Sequence, residues 1–390
     1  MDVKNIEASK GGARKVVSRV ARVAAIKKAD IAELLRLMMT NHASDLHLKV
    51  GSSPIMRING RLAAHTLQPP MTEEDIERAF ATMTSEEQRE VFAEELELDF
   101  AYEVEGLGRF RANAHMQGGK LGLVLRMVPW EIPGIDDLGL PEACKALVMN
   151  RAGLVAVTGP TGSGKSTTLA AMINYLNQNE ARKVVTVEDP IEFVHRDINC
   201  VFCQRELGLD TKSFAKGLRA ALRQDLNVIL VGEMRDGDTA AAALTAAETG
   251  HLVLTTLQTA GAARAVERII DMFPAHQQQQ ARVQLSMSLQ GVLYQTLVPT
   301  ADGKGRVPAV EVLLANAAVR NLIREGKTFQ IPSIMQTAAQ AGMQSLDIAL
   351  FELCRDGTIS LEEAASRCEN PQEMRAKLTQ LPRAQRHART

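Results

Sequence analysis

The sequence is poor in aromatic residues, with one tryptophan, three tyrosines and ten phenylalanines among 390 residues. Proteins that grip single-stranded nucleic acid stack bases on such rings, so this scarcity argues against that mode of recognition. A charge surplus is missing too: 45 lysines and arginines stand against 46 aspartates and glutamates, and no overall field draws in a polyanion. With neither rings nor a basic track, the chain is expected not to work on nucleic acid. No apolar run approaches the roughly 18 residues that a membrane-spanning helix needs. The five cysteines (Cys144, Cys200, Cys203, Cys354 and Cys368) are odd in number and scattered, the pattern of a reducing compartment rather than of a disulfide framework. Cys200 and Cys203 form a lone C-x-x-C, and without a second pair it implies no zinc site.

What is present is an ordinary soluble composition, 45% hydrophobic and 23% charged, in a chain long enough for about two or three domains. Residues 1–29 are a basic extension. Within "ARKVVSRVARVAAIKKAD", Val16, Val20, Val23 and Ile26 fall near one helical face among arginines and lysines. Such a segment is either a solvated extension or an amphipathic helix that docks on a membrane or partner. It lacks the apolar core and cleavage site of a signal peptide. Asp30 is placed to cap a helix carrying Ile31, Leu34, Leu35 and Met38 at helical spacing. Alternating stretches, an Asn59-Gly60 turn and a helix from Thr72 follow, so residues 30–128 read as an α+β domain. Within "PWEIPGIDDLGLP", residues 129–139 are the expected linker. From 140 to 280 apolar strands alternate with long helices, the sign of a parallel sheet. Residues 281–370 read as mostly helical, with Ser360 and Glu363 as a capping box, and 371–390 as a polar, basic tail.

"GPTGSGKST" comprises Gly159, Pro160, Thr161, Gly162, Ser163, Gly164, Lys165, Ser166 and Thr167. It matches G-x-x-x-x-G-K-[ST] between an apolar strand and a helix, the context the motif requires. Glycines let successive backbone N–H groups turn inward on a polyphosphate, and the helix N-terminus adds a positive dipole. Lys165 offers a charge to the terminal phosphates and the Ser166 hydroxyl a ligand to Mg²⁺. The chain is therefore expected to bind a nucleoside triphosphate. Hydrolysis needs acids as well. "VVTVEDPIEF" puts Glu188 and Asp189 at the carboxyl end of a strand, where parallel sheets collect their ligands. "VILVGEMRD" brings Glu233 to a second strand end, with Gly232 where many such sites carry an aspartate.

Together, "GPTGSGKSTTLAAM", "VEDPIEF", "LRAALRQDLNVILVGEMRD" and "AAETGHLVLTTLQTAGAARAVERIIDMFP" resemble the Walker A, aspartate, Walker B and histidine boxes of the secretion and pilus motor ATPases. The run "NAAVRNLIREGKTFQIPSIMQTAAQAGMQSLD" and the start "ASDLHLKVGSSPIMRINGRL" are similar to type IV pilus retraction motors. The resemblance implies an α/β protein: a PAS-like N-terminal domain, then a RecA-like P-loop ATPase domain with a helical C-terminal part. It also implies a cytoplasmic homo-hexamer, peripheral at the inner face of the cytoplasmic membrane, that uses ATP and Mg²⁺ to drive pilus retraction and twitching motility. Its partners would be the inner-membrane pilus platform protein and a paralogous retraction ATPase. An accessory, weakly hydrolysing paralogue and a type II secretion motor are the alternatives. Carried over by position, Glu188 polarises the attacking water, Glu233 is the Walker B acid that supports the metal, and His251 is the first histidine of its box. Arg109, Arg111 and Arg126 are the arginines offered to a neighbour's nucleotide.

One departure stands out in "ETGHLVLTTLQTA": Gln258 occupies the place of the second box histidine. Its amide can still donate a hydrogen bond or orient water, but it cannot titrate. Thr255, Thr256 and Gln258 are expected along the edge that faces the terminal phosphate.

Overall fold

The structure, a computed structural model, describes residues 30–58, 61–64, 69–128, 131–338 and 342–380. The basic extension, the Asn59-Gly60 turn and residues 381–390 of the expected tail lie outside these. The chain forms two compact units that divide after residue 130.

In the first unit, α1 (Ile31–Thr40) starts where the Asp30 carboxylate accepts the Ala32 N–H, and it buries Ile31, Leu34, Leu35 and Met38. Six strands follow: β1 (Ala43–Lys49), β2 (Ile55–Ile58), β3 (Arg61–Ala64), β4 (Glu97–Val104), β5 (Gly108–Gln117) and β6 (Lys120–Met127). They make one sheet in the order β3-β2-β1-β6-β5-β4, every pair antiparallel. Alternation sorts the faces: Phe110, Ala112 and Ala114 of β5 are buried, while Arg109 and Arg111 point the other way. Between β3 and β4 lie α2 (Glu73–Met83) and α3 (Glu86–Glu95). Each opens with a reciprocal capping box, Thr72 with Asp75 and Ser85 with Gln88. The core closes around Phe80, whose ring lies 4.9 Å from Phe92 and 6.2 Å from Phe100.

The second unit is built on seven strands: β7 (Gly153–Thr158), β8 (Lys183–Glu188), β9 (Val201–Glu206), β10 (Val228–Val231), β11 (Leu252–Leu257), β12 (Leu289–Pro299) and β13 (Arg306–Leu314). Their order is β13-β12-β7-β11-β10-β8-β9, parallel except for the β12–β13 hairpin. β7, β10 and β11 are buried along their whole length, because helices cover both faces. On one face α6 (Phe214–Ala221), α7 (Gly237–Glu248), α8 (Ala262–Asp271) and α9 (Gln278–Ser288) pack on Leu154, Val187, Ile229 and Val253. On the other, α4 (Ala143–Val148) and α5 (Lys165–Asn179) pack on Val155, Val184, Leu230 and Leu254. The described residues end in α10 (Ala317–Glu325), α11 (Ile331–Thr337), α12 (Leu346–Arg355), α13 (Leu361–Arg367) and α14 (Pro371–Gln380).

The α/β class is as expected, and several local expectations are corrected. Residues 281–314 are not mostly helical: β12 and β13 extend the main sheet. The segment expected as a linker packs, from residue 131, into the second unit, where Ile135 and Leu140 are buried. Residues 371–380 are not tail but helix, and Met374 and Leu378 join Ala349, Leu350 and Ile359 in a C-terminal core. Ser360 caps α13 by accepting the Glu363 N–H, but the Glu363 carboxylate turns forward to Arg367 instead of closing the box.

Candidate nucleotide-binding site

The carboxyl ends of β7, β8, β10 and β11 open on one cavity of about 520 Å³, at the place where open parallel sheets take their ligands. Behind β7 the loop turns through Gly159, Gly162 and Gly164, with φ of 149°, 78° and 85°. A side chain at Gly159 would also lie 2.2 Å from the Gln295 carbonyl oxygen, so glycine is required there twice over. α5 then begins at Lys165 with no side-chain cap, which leaves first-turn N–H groups for an anion. Thr161, Gly162, Gly164, Lys165, Ser166 and Thr167 line the cavity. The Lys165 ammonium donates to the carbonyls of Gly159 and Pro160, at 3.0 and 2.9 Å. Burial pulls its pKa down, and the charges of Glu233 and Glu192 work against that.

The loop is held from behind by Gln295 of β12, a buried residue that sequence reasoning missed. Its amide donates to the Ser163 carbonyl at 2.6 Å and accepts from the Thr168 hydroxyl at 2.7 Å. The end of β7 is tied to the end of β11 in the same way: the hydroxyls of Thr158 and Thr259 meet at 2.7 Å, and the Thr259 N–H donates to Thr158 Oγ1.

Glu188 ends β8 and is nearly buried at the cavity wall. Burial pushes its carboxyl up to about 7, opposed in part by the hydrogen bond that Gln204 Nε2 donates to it. That value suits a group that takes up or orients a proton near neutrality. Asp189, Glu192 and Glu233 line the same cavity. The Glu233 carboxylate is held at one oxygen by Gln258 Nε2 (2.7 Å) and at the other by Arg235 (2.7 Å). Arg235 also lies 3.8 Å from Asp189. It too went unnoticed in the sequence, although its spacing of two from Glu233 was the available signal. Gly232, the departure from the usual aspartate, sits where a side chain has little room. A Cβ there would stand 3.2 Å from the Glu188 Cα and 3.4 Å from the Val187 carbonyl.

Of the four residues of the histidine box singled out from the sequence, two line the cavity and two do not. Thr256 and Gln258 line the cavity, with Thr256 Oγ1 donating to the Gly232 carbonyl at 2.6 Å. Thr255 is fully buried away from it, since alternate residues of a strand face opposite sides. His251 sits before β11 begins, roughly 20 Å along the strand from Gln258. Its Nδ1 is 3.1 Å from the Ala246 carbonyl and 3.3 Å from the Thr249 hydroxyl, at the end of α7. The structure does not bring His251 to the cavity. It brings instead His195, whose ring stacks on Phe202 at 4.9 Å and whose pKa burial pushes down to about 4.

Arg109, Arg111 and Arg126 belong to the first unit. Arg111 and Arg126 are direct cross-strand partners, and Arg109 lies two residues along the same face of β5. Two cations so opposed repel, and the buried Asp45 offsets this: its carboxylate accepts from Arg126 at 2.7 Å, with Arg57 at 3.4 Å. Burial alone would raise the Asp45 carboxyl, but the bonds from Arg126 and Ser44 hold it below its ordinary value. Arg109 pairs with Glu103 at 3.8 Å. Among the described residues no helix is long and apolar enough to cross a membrane.

A family model described as type II/IV secretion system protein matches residues 22–343. The chain is 46% identical to the type IV pilus retraction ATPase PilT of Pseudomonas aeruginosa, over 88% of this chain and 99% of that protein. It is 42% identical to the type IV pilus ATPase PilU of the same organism, over 89% and 90%. A crystal structure of the pilus retraction motor PilT with bound ADP superposes with a TM-score of 0.83 at 45% identity, covering 90% of this chain and all of that one.

Proposed function

The chain belongs to the type II/IV secretion system protein family, and from that premise we propose that it is an ATP-hydrolysing motor for type IV pilus retraction. The observation that carries the reading is the single cavity at the carboxyl ends of four strands, which gathers the Gly159–Thr167 loop, Glu188 and Glu233. A triphosphate set beside Glu188, Asp189, Glu192 and Glu233 is repelled unless a divalent cation stands between them. Ser166 and Glu233 line that space and fit the task of holding Mg²⁺. The ion, when bound, neutralises charge on the β- and γ-phosphates.

The protein's own groups do the rest. First-turn N–H groups of α5 and Lys165 hold the phosphates, and Gln295 keeps the loop in shape behind them. Glu188, ionised above about pH 7, orients the attacking water and takes up its proton. Gln258 and Arg235 fix the Glu233 carboxylate. Arg109, Arg111 and Arg126 act on the nucleotide of an adjacent copy in a hexamer, where a planar, permanently charged guanidinium suits the terminal phosphate. The ring works at the cytoplasmic face of the inner membrane on the pilus platform protein. Steady-state phosphate release by the purified protein tests the core of this: Lys165→Ala and Glu233→Ala are each expected to abolish it, and unchanged release in both overturns the reading.

A second reading, an accessory and weakly hydrolysing partner of another retraction motor, is favoured by the Gln258–Glu233 hydrogen bond at the place of a box histidine. Gln258→His separates the two. Turnover within about threefold of wild type supports the competent motor, and a gain of about tenfold or more supports the accessory role.

A further inference from the structure

β9 is the edge strand beside β8, in parallel register, with Gln204 opposite Thr186 and Glu206 opposite Glu188. The Gln204 side chain makes three hydrogen bonds. Its Oε1 accepts the His195 N–H at 2.8 Å, and its Nε2 donates to the Phe193 carbonyl at 2.8 Å and to Glu188 Oε1 at 3.3 Å. The first two bonds fix the plane of the amide on the loop after β8. With that plane fixed, the second N–H of Nε2 is left facing the carboxylate. Phe193 and His195 both line the cavity, and the His195 ring stacked on Phe202 holds the same loop to β9. Only a primary amide offers an acceptor and two donors in one plane. Glutamate at 204 would lose both donors, and leucine would lose everything but volume.

We propose that Gln204 is the positioning residue for Glu188, aiming its carboxylate into the cavity and tying that aim to the loop of Phe193 and His195. The proposal rests on the reading of Glu188 as the group that orients water. Gln204 does not line the cavity, and it acts through the orientation and basicity of Glu188. Its donor is one of the groups that oppose the rise of the Glu188 carboxyl. The other ionisable groups around this wall are Asp189, Glu192 and His195 on the loop after β8, Glu206 on β9, Glu233 and Arg235 beyond β10, Lys165 on α5 and Arg306 at the start of β13.

The test is phosphate release by the full-length protein across about pH 5.5 to 9, with ATP affinity measured on the same preparations. It uses wild type, Gln204→Leu, Gln204→Glu, Glu188→Gln and the Glu188→Gln/Gln204→Leu double variant. Gln204→Leu is expected to lower kcat about 10- to 100-fold at neutral pH with KM for ATP within about twofold. Its acid limb should move up by about one pH unit, so that the loss shrinks as pH rises. In the Glu188→Gln background the same change should cost nothing further. Gln204→Glu keeps the side-chain size and adds a like charge, so it moves the limb in the same direction and decides the matter if the leucine variant does not fold. A limb that stays in place while the rate falls equally at all pH overturns the proposal, as does an additional loss in the double variant. Wild-type turnover in Glu188→Gln is a distinct result: it removes the role assigned to Glu188 and overturns the proposal with it.

Discussion

Burial pushes the Glu188 carboxyl from an ordinary 4.5 up to about 7, and stability and activity both inherit the shift. Between those values the folded protein holds a proton that the unfolded chain releases, so stability falls as pH rises through the window. Glu188→Gln removes that penalty. In denaturant titrations it is expected to be more stable than wild type by about 1–3 kcal/mol near pH 8, with the difference fading towards pH 4.5. It should lose most, but not all, of its phosphate release at the same time, a stability gained where activity is given up. Gly232 works on the same group by sterics. Gly232→Ala sets a methyl 3.2 Å from the Glu188 Cα, which should cost about 1–3 kcal/mol and slow hydrolysis more than it weakens ATP binding. ATP affinity that falls in step with rate would place its effect on the cradle instead.

Among the elements, β12 is the one whose role was least legible. Its sequence "LQGVLYQTLVP" interrupts the apolar run with Gly291 and Gln295, and each interruption has a tertiary cause. A side chain at Gly291 would stand 2.9 Å from both Leu147 and the Leu313 carbonyl. Gln295 is polar because it holds the phosphate loop. Gln295→Leu leaves the Ser163 carbonyl and Thr168 hydroxyl without that partner, at about 1–3 kcal/mol. It is expected to weaken ATP binding about tenfold while far-ultraviolet circular dichroism stays unchanged. The elements read most securely from sequence were those with a local signature: α1 with its cap and apolar stripe, and the glycine loop between β7 and α5. Thr255 marks the limit of such reading, because the alternation that buries it was visible while the side facing the cavity was not.

At the scale of the whole molecule, the proposed motor needs arginines from one copy and a phosphate cradle from another. Arg111→Ala and Lys165→Ala proteins, each inactive alone, should regain part of their phosphate release when mixed, because some interfaces then carry an intact half from each. A mixture that stays inactive at every ratio counts against the shared site. The sequence by itself determined the α/β class, the phosphate loop and the strand ends that carry Glu188 and Glu233, since each is written in contiguous residues whose spacing obeys local geometry. Tertiary structure decided what depends on distant segments meeting. Gln295 lies far along the chain from the loop it braces, Gln204 reaches Glu188 only because β9 pairs with β8, and His251 is kept from the cavity by the length of β11. Hydrogen bonds between strands and the steric limit at Gly232 follow from sheet order, and no local pattern of residues encodes that order.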